Sequence, residues 1–496
     1  MQLIIPMSGS GKRFRDAGYK DPKPLIRVDG LPMIEHVVSL FPGVTDVTFI
    51  CNSDDIQNTD IERVLSAICP TCNIVVIEPH KKGPVWAVLQ ALEFINDEEV
   101  IISYCDYGTQ WDFKHFLHVV RGGHFAGAIA GYRGFHPHML GSDNYAFCRE
   151  KDGTLLEIRE KAPFTEDRMS EFASNGTYYF AKGSLVKQYF RELIDKDINI
   201  KDEYYVSLVY NLMVRDGLLV KLFEIEKMLQ WGTPHDLEIY KRWSKYFRKP
   251  NFTLVIPMAG RGERFKEYDK PKPFLPINGN PMVVEAVKAL PQPKDIVFVA
   301  LSEHYDMAAN VWLCYPDAAY VYIDAVTQGQ AETCEIGLKA ARVGDDDPIL
   351  ISACDNAAVY DQAKFFDLID DPGVDVIVWS FTNHPTGKNN PNMYSWLDVD
   401  ASGRIHDVAC KRFIEGRKHA IIGTMYFRKA KYFLDGLKAN RERDLRTNGE
   451  FYVDDVLNRN IEQGLKVKVF EVDDYICWGT PMDYKTYLYW ADYFKK

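Results

Sequence analysis

Long apolar runs are missing from this sequence. No stretch approaches the ~20 residues that cross a bilayer, and the N-terminus lacks the apolar region of a signal peptide, so a cytoplasmic protein without membrane insertion is expected. An excess of positive charge is missing too. With 59 basic against 70 acidic residues the net charge is −11, which disfavours nucleic-acid and membrane-surface partners. A local cluster of Arg and Lys can still bind a small anion in such a protein. The ten cysteines are scattered among apolar neighbours, as reduced buried thiols are, and Cys69-Pro-Thr-Cys72 has no second CxxC or paired histidines to complete a metal site. The Walker loop of nucleotide hydrolases is also absent. "SGSGKRF" at 8–14 looks similar, yet Pro6 stands where that loop needs its first glycine, and Arg13 follows Lys12 where it needs Ser or Thr.

What the sequence does contain is itself, twice. "IIPMSGSGKRF" at 4–14 returns as "VIPMAGRGERF" at 255–265, "DPKPLI" at 21–26 as "KPKPFL" at 270–275, and "YCDYGTQWD" at 104–112 as "ACDNAAVYD" at 353–361. "NGTYYF" at 175–180 matches "IGTMYF" at 422–427, "DEYYV" at 202–206 matches "GEFYV" at 449–453, and "QWGTPHD" at 230–236 matches "CWGTPMD" at 477–483. The offset is nearly constant, 251 from Gly9 to Gly260 and 247 from Gly232 to Gly479. Two domains are expected, 1–248 and 252–496, with "RKPN" at 248–251 as the joint. In each, apolar runs such as "VTFIC" and "VIISYC" read as strands buried on both faces, and amphipathic segments such as "PMIEHVVSLF" as the helices between them. This alternation implies an α/β domain with a mostly parallel sheet, Rossmann-like. Asp152-Gly153 inside "YAFCREKDGTLLEIREK" marks a hairpin inserted beside the sheet.

Open α/β sheets bind ligands beyond the carboxyl ends of their strands, and three segments fall there. In the loop after the first strand, Gly9, Gly11, Gly260 and Gly262 let the backbone approach a phosphate. Lys12 becomes Glu263 in the second copy, while Arg13 and Arg264 persist, so the arginine is the expected phosphate partner. In the second segment Lys23 and Lys272 each sit between two prolines, which preorganises a cation against developing negative charge. In the third, Asp106 and Asp355 end a buried strand, where Mg²⁺ is the natural counter-charge.

In order, G-x-G-x-R-F, P-K-P, the strand-terminal Asp, G-T-x-Y-F and W-G-T-P resemble the nucleotidyltransferases that activate sugar phosphates, most of all the bacterial branch associated with capsule and lipopolysaccharide precursors. The resemblance spans nearly all of both halves. It implies two tandem Rossmann-like nucleotidyltransferase domains in which, with Mg²⁺, an NTP and a phosphorylated acceptor give an NDP-linked product and pyrophosphate. It further implies that Arg13/Arg264 and Lys23/Lys272 serve the triphosphate and the transition state, that Asp106/Asp355 hold the metal, that Lys161/Lys411 meet the acceptor phosphate, and that Glu203/Glu450 hold acceptor hydroxyls. An acceptor phosphate is already an anionic nucleophile, so the chemistry needs positioning and charge neutralisation rather than a general base.

The sequence also departs from that family. Gln230 and Cys477 replace a second metal-binding aspartate, and Glu226 and Asp473, four residues upstream, are candidate substitutes. For the base edge the second copy offers Gln328, Gly329 and Gln330, and the first offers Gly83 followed by Pro84. The repeated His136-Pro137 and His384-Pro385 are expected to mark a strand-to-loop exit, with phosphate contact as a minor alternative. A glycosyltransferase of related fold, or one catalytic copy beside one regulatory copy, are the competing readings. Base, acceptor and the question of a homo-oligomer stay open.

Overall fold

In the computed structural model, which describes residues 1–141, 143–382 and 384–495, the chain divides into two compact units, Met1–Ser244 and Lys245–Lys496. Each unit is built on a nine-stranded mixed sheet. In the first, strands Asn73–Ile77, Asp46–Asn52, Gln2–Pro6 and Val100–Ser103 lie side by side in parallel. Phe172–Phe180 then runs antiparallel against Val100–Ser103 and against Gly127–Tyr132. The second sheet repeats the pattern, with Ala319–Ile323, Asp295–Leu301, Thr253–Pro257 and Ile349–Ser352 parallel and His419–Phe427 antiparallel.

The unalternated apolar runs become strands covered on both faces. Within Gln2–Pro6, Leu3 and Ile5 join one core cluster and Ile4 the other, and in the second unit Leu254 and Ile256 part from Val255 in the same way. Asp152 and Gly153, both at positive φ, close the hairpin between Ala146–Lys151 and Thr154–Glu160. Among the described residues, no helix is long and apolar enough to cross a membrane.

Two features outside the main sheet position the cleft. A short antiparallel ribbon pairs Tyr107–Gln110 with Lys227–Gln230, and its counterpart pairs Asn356–Val359 with Asp474–Cys477. The ribbon carries the W-G-T-P segment back beside the strand-terminal aspartate. The second feature is a backbone clasp. Tyr204 N donates to Lys82 O (2.9 Å) and Val85 N donates to Tyr204 O (3.1 Å). Phe451 N donates to Gln328 O (2.9 Å) and Ala331 N to Phe451 O (3.0 Å) in the second unit.

Gly83 and Gly329 lie inside the clasps. Gly83 has φ +83°, and a Cβ there would stand 2.6 Å from Tyr204 N; at Gly329, φ +141°, it would stand 2.5 Å from Phe451 N and O. The obstacle is backbone on both sides, so it cannot swing away. Gly83→Ala or Gly329→Ala should destabilise its unit by about 3 kcal/mol. Gly43→Ala, at φ +88° with nothing within 4 Å, should cost only about 1 kcal/mol. Urea denaturation of the three variants measures the difference, and equal losses would refute the close-approach argument.

Candidate active site

The lysine turn comes from proline geometry. Pro22 holds φ −58° and ψ 146°, after which Lys23–Leu25 form a single 3₁₀ turn; Pro271 (φ −59°, ψ 147°) and Lys272–Phe274 repeat it. Gly11 (φ +58°) and Gly262 (φ +62°) pass directly over the lysines, with a Cβ at either meeting Lys23 Cβ at 3.7 Å or Lys272 Cβ at 3.2 Å. Each lysine therefore leaves its turn in one direction.

That direction leads to the aspartate. Lys23 Nζ donates to Asp106 Oδ2 and to Gly232 O (3.1 Å), and Lys272 Nζ donates to Asp355 Oδ2 (2.7 Å). Gly232 and Gly479 leave room for the pair, since a Cβ at either would lie 3.2 Å from the aspartate Oδ2. Burial alone would depress the Lys272 ammonium, but the Asp355 charge and hydrogen bond raise it to about 12. Burial pushes the Asp355 carboxyl up; the charges of Lys272, Lys411 and Arg264 outweigh it and hold the group below its ordinary value.

In the first unit a cleft of about 390 Å³ is lined by Gly9, Gly11, Arg13, Lys23, Gly83, Asp106 and Glu203 among others. Lys161 lines an adjoining cavity of about 230 Å³, together with Arg13, Lys23, Asp106 and Tyr205. In the second unit Gly260, Gly262, Lys272, Gly329, Gln330 and Glu450 line one cavity, and Arg264 lines the next with Lys272 and Glu450. Gln328 is outside both linings; its carbonyl serves the clasp. Arg13 and Arg264 make no side-chain hydrogen bond or ion pair among the described residues, whereas Lys12 pairs with Asp16 at 2.6 Å.

Lys161 (φ +57°) and Lys411 (φ +47°) both occupy the left-handed region that lysine seldom adopts, a strain found most often at functional positions. Each ammonium sits over a tyrosine ring, Tyr205 at 4.5 Å and Tyr452 at 5.3 Å from the centroid. Lys161 Nζ also donates to Tyr205 OH, which donates on to Glu203, while Lys411 Nζ donates to Met393 O (3.0 Å). Glu203 and Glu450 are each presented by a tight two-residue turn with both central residues at positive φ, Lys201-Asp202 in one and Asn448-Gly449 in the other.

Several sequence expectations need correction. Glu226 and Asp473 cannot stand in for a second metal-binding aspartate. In the ribbon Gln230 pairs with Tyr107 beside Asp106, while Lys227 pairs with Gln110, so Glu226 lies beyond the far end; Asp473 lies beyond the Asp474–Val359 pair likewise. His136 and His384 follow the strands ending at Tyr132 and Phe381, as expected of a strand exit. Only the alternative of phosphate contact falls, since neither lines the clefts described above. His136 packs on Tyr132, and His384 Nδ1 accepts from Thr386 N. Among the described residues no three His, Cys, Asp or Glu side chains gather to hold a metal alone. Asp106 and Asp355 each have one oxygen engaged by the lysine and the other outside any hydrogen bond among the described residues. One carboxylate oxygen fits a Mg²⁺ ion that brings substrate phosphates as its remaining ligands.

Motif reading passed over three features of the first cleft. Tyr104 lines both cavities, and its hydroxyl is buried without a hydrogen-bond partner among the described residues. Glu160 lines the second cavity and accepts from Ser207 Oγ (2.7 Å). His80 Nδ1 accepts from Lys82 N (3.1 Å), which leaves Nε2–H to donate to Ser8 Oγ (2.9 Å) in the neutral ring. Burial and Lys82 lower the His80 pKa and favour that neutral form. All three differ between the copies, so a search for what recurs misses them.

The bifunctional protein GlmU of Clostridioides difficile (strain 630) is 27% identical over 230 residues, 45% of this chain and 46% of that protein. GlmU of Methanocaldococcus jannaschii is 24% identical over 183 residues, 37% of this chain and 40% of that protein. The chain spans about half the length of the curated relatives it matches or less. Among solved structures, the nucleoside-diphosphate-sugar pyrophosphorylase of Vibrio cholerae RC9 is similar at a TM-score of 0.41 and 20% identity, over 48% of this chain and 99% of that one. Residues 3–161 and 254–419, together well over half of the chain, each match the MobA-like NTP transferase domain, and each contains the glycine loop, the proline-braced lysine and the strand-terminal aspartate. The chain therefore belongs to the MobA-like NTP transferase family and carries its domain twice.

Proposed function

We propose that both copies are Mg²⁺-dependent nucleotidyltransferases that join an NTP to a phosphorylated sugar or polyol-type acceptor and release pyrophosphate. The resemblance to the capsule and lipopolysaccharide branch favours a supply of surface-polysaccharide precursors. The observation that carries the reading is the lysine–aspartate pair, built in both units at the same place beside the glycine loop and an unpaired arginine.

The acceptor phosphate attacks the α-phosphorus, a P–O bond forms, and the bond to the β-phosphate oxygen breaks with pyrophosphate as the leaving group. Arg13 or Arg264 binds the triphosphate from the loop side. Lys23 or Lys272 donates to the phosphates where charge builds up, and exchanges its hydrogen bond with the aspartate for one with substrate. Lys161 or Lys411 holds the acceptor phosphate, and Glu203 or Glu450 accepts from the acceptor's hydroxyls. Asp106 and Asp355 would hold Mg²⁺, which supplies neutralising charge between the two anions. No general base is required, because the nucleophile arrives ionised.

Two outcomes test this reading. Pyrophosphate release should require an NTP, a phosphorylated acceptor and Mg²⁺ together, with Lys23→Ala or Lys272→Ala each lowering one copy's rate by about two to three orders of magnitude. Release of a nucleoside diphosphate without pyrophosphate would favour glycosyl transfer instead, and full activity in both variants on every substrate pair would remove the lysines from the chemistry. The second outcome concerns pH. Lys272 is raised to about 12 and stays charged as pH rises through the ordinary lysine range. In the metal-free protein the Lys272 ammonium, followed by NMR, should keep its charge up to about pH 11. Titration at about 10.4, the free-lysine value, would contradict the ion pair.

A further inference from the structure

The acceptor walls of the two units can be matched through shared hydrogen bonds. Ile158 N donates to Asn211 Oδ1 in one, and Val408 N donates to Asn458 Oδ1 in the other. Phe172–Phe180 pairs Thr177 with Ser103, and His419–Phe427 pairs Thr424 with Ser352. Tyr104 thus corresponds to Ala353, Asn144 to Met393, Glu160 to Cys410, Ser174 to Ile421 and Asn175 to Ile422. The five side chains of the first unit all line the cavity that holds Lys161. At every one of these positions the second unit replaces a hydrogen-bonding group with an apolar or weakly bonding one.

Local structure accounts for part of this polarity. Asn175 Nδ2 donates to Thr109 Oγ1 (3.0 Å) and its Oδ1 accepts from Thr177 N (3.0 Å), so it serves the strand irregularity beside it. The same does not hold for Tyr104 and Glu160. The Tyr104 hydroxyl is buried beside that of Tyr178 and has no hydrogen bond of good geometry among the described residues. Glu160 accepts at one oxygen from Ser207, and the other oxygen has no hydrogen bond among the described residues. Burial, the largest influence, raises the Glu160 pKa, which suits a carboxyl that both donates to and accepts from hydroxyls.

The second unit has its acids at Asp454 and Asp455 rather than at the position of Glu160. Asp454, at the position of Ser207, accepts from Ser395 Oγ, and Ser395 Oγ in turn accepts from Lys411 N (3.1 Å). That carboxylate braces the lysine turn, and Cys410 stands at the position that corresponds to Glu160.

Building on the acceptor role given to these clefts above, we propose that the two copies take acceptors of different chemistry. The first takes a polyhydroxylated phosphomonoester whose hydroxyls bond to Tyr104 and Glu160. The second takes a phosphomonoester with few hydroxyls beyond any that Glu450 accepts, which narrows the sugar or polyol class given above to the first copy.

Calorimetric titration tests this, with Mg²⁺ and a mixture of α,β-methylene NTPs present. The probes are glucose 1-phosphate and myo-inositol 1-phosphate on one side, and ethyl phosphate and 2-aminoethyl phosphate on the other. At least one polyhydroxylated probe should bind at a single site per chain. Tyr104→Phe and Glu160→Gln should each weaken that site about tenfold. Glu160 lies outside the glycine-loop cleft, so Glu160→Gln should leave the binding of the NTP mixture unchanged, which reports that the unit remains folded. A sparsely hydroxylated probe should occupy a site that neither variant affects. Two equivalent sites for one probe, no binding by either polyhydroxylated probe, or unchanged affinity in both variants would overturn the assignment. Pyrophosphate release with hydrolysable NTPs is read separately. If the binding pattern holds and no pyrophosphate appears, the acceptor assignment stands and nucleotidyl transfer is what fails.

Discussion

An ammonium and a carboxylate, each sheltered and each needing the other, fix the layout of both clefts. The buried strand delivers the aspartate to the carboxyl edge of the sheet, and the proline-braced turn delivers the lysine to the same point. Removing either partner would leave the other as an uncompensated charge, so the glycine loop, the two-stranded ribbon and the side-chain-free glycine of W-G-T-P are constrained together. The arginine, unpaired among the described residues, adds a second positive charge at the cleft. Under the proposed reaction this combination would offset the repulsion between two anions, the main barrier to joining two phosphates.

Duplication separates what phosphate chemistry demands from what a particular substrate demands. The groups to which phosphate contacts are assigned above recur in both halves: glycine loop, arginine, lysine, aspartate, and the lysine at positive φ. Groups facing the variable parts of a substrate differ. Ser8 and His80 bond to each other in the first unit, where Ala259 and Val326 stand in the second. Conversely Gln330 lines the second cleft where Pro84 lines the first. The hydrogen-bonding side chains thus stand at different places along the two cleft linings.

Much of this was legible in the sequence. Strand-terminal Asp106 and Asp355, the P-K-P segments and the glycine loops were placed on one sheet edge by the α/β pattern and the repeat alone, and Asp152-Gly153 gave its hairpin turn. The illegible features depend on register and cross-chain contact. Spacing along the chain made Glu226 and Asp473 look close to the aspartates, but the ribbon spends one residue per step moving away from them. Nothing in "EYY" or "KGP" says that Tyr204 and Lys82 will share hydrogen bonds. Tyr104 and Glu160 were hidden because comparing the halves highlights identity, and these positions carry difference.

The clasp at Gly83 and Gly329 joins the loop that faces the nucleotide to the turn that carries Glu203 or Glu450. Two backbone hydrogen bonds and a contact with no spare volume make them one mechanical piece. A shift of either segment is therefore passed to the other through main chain alone, and the carboxylate's place is set before any ligand arrives.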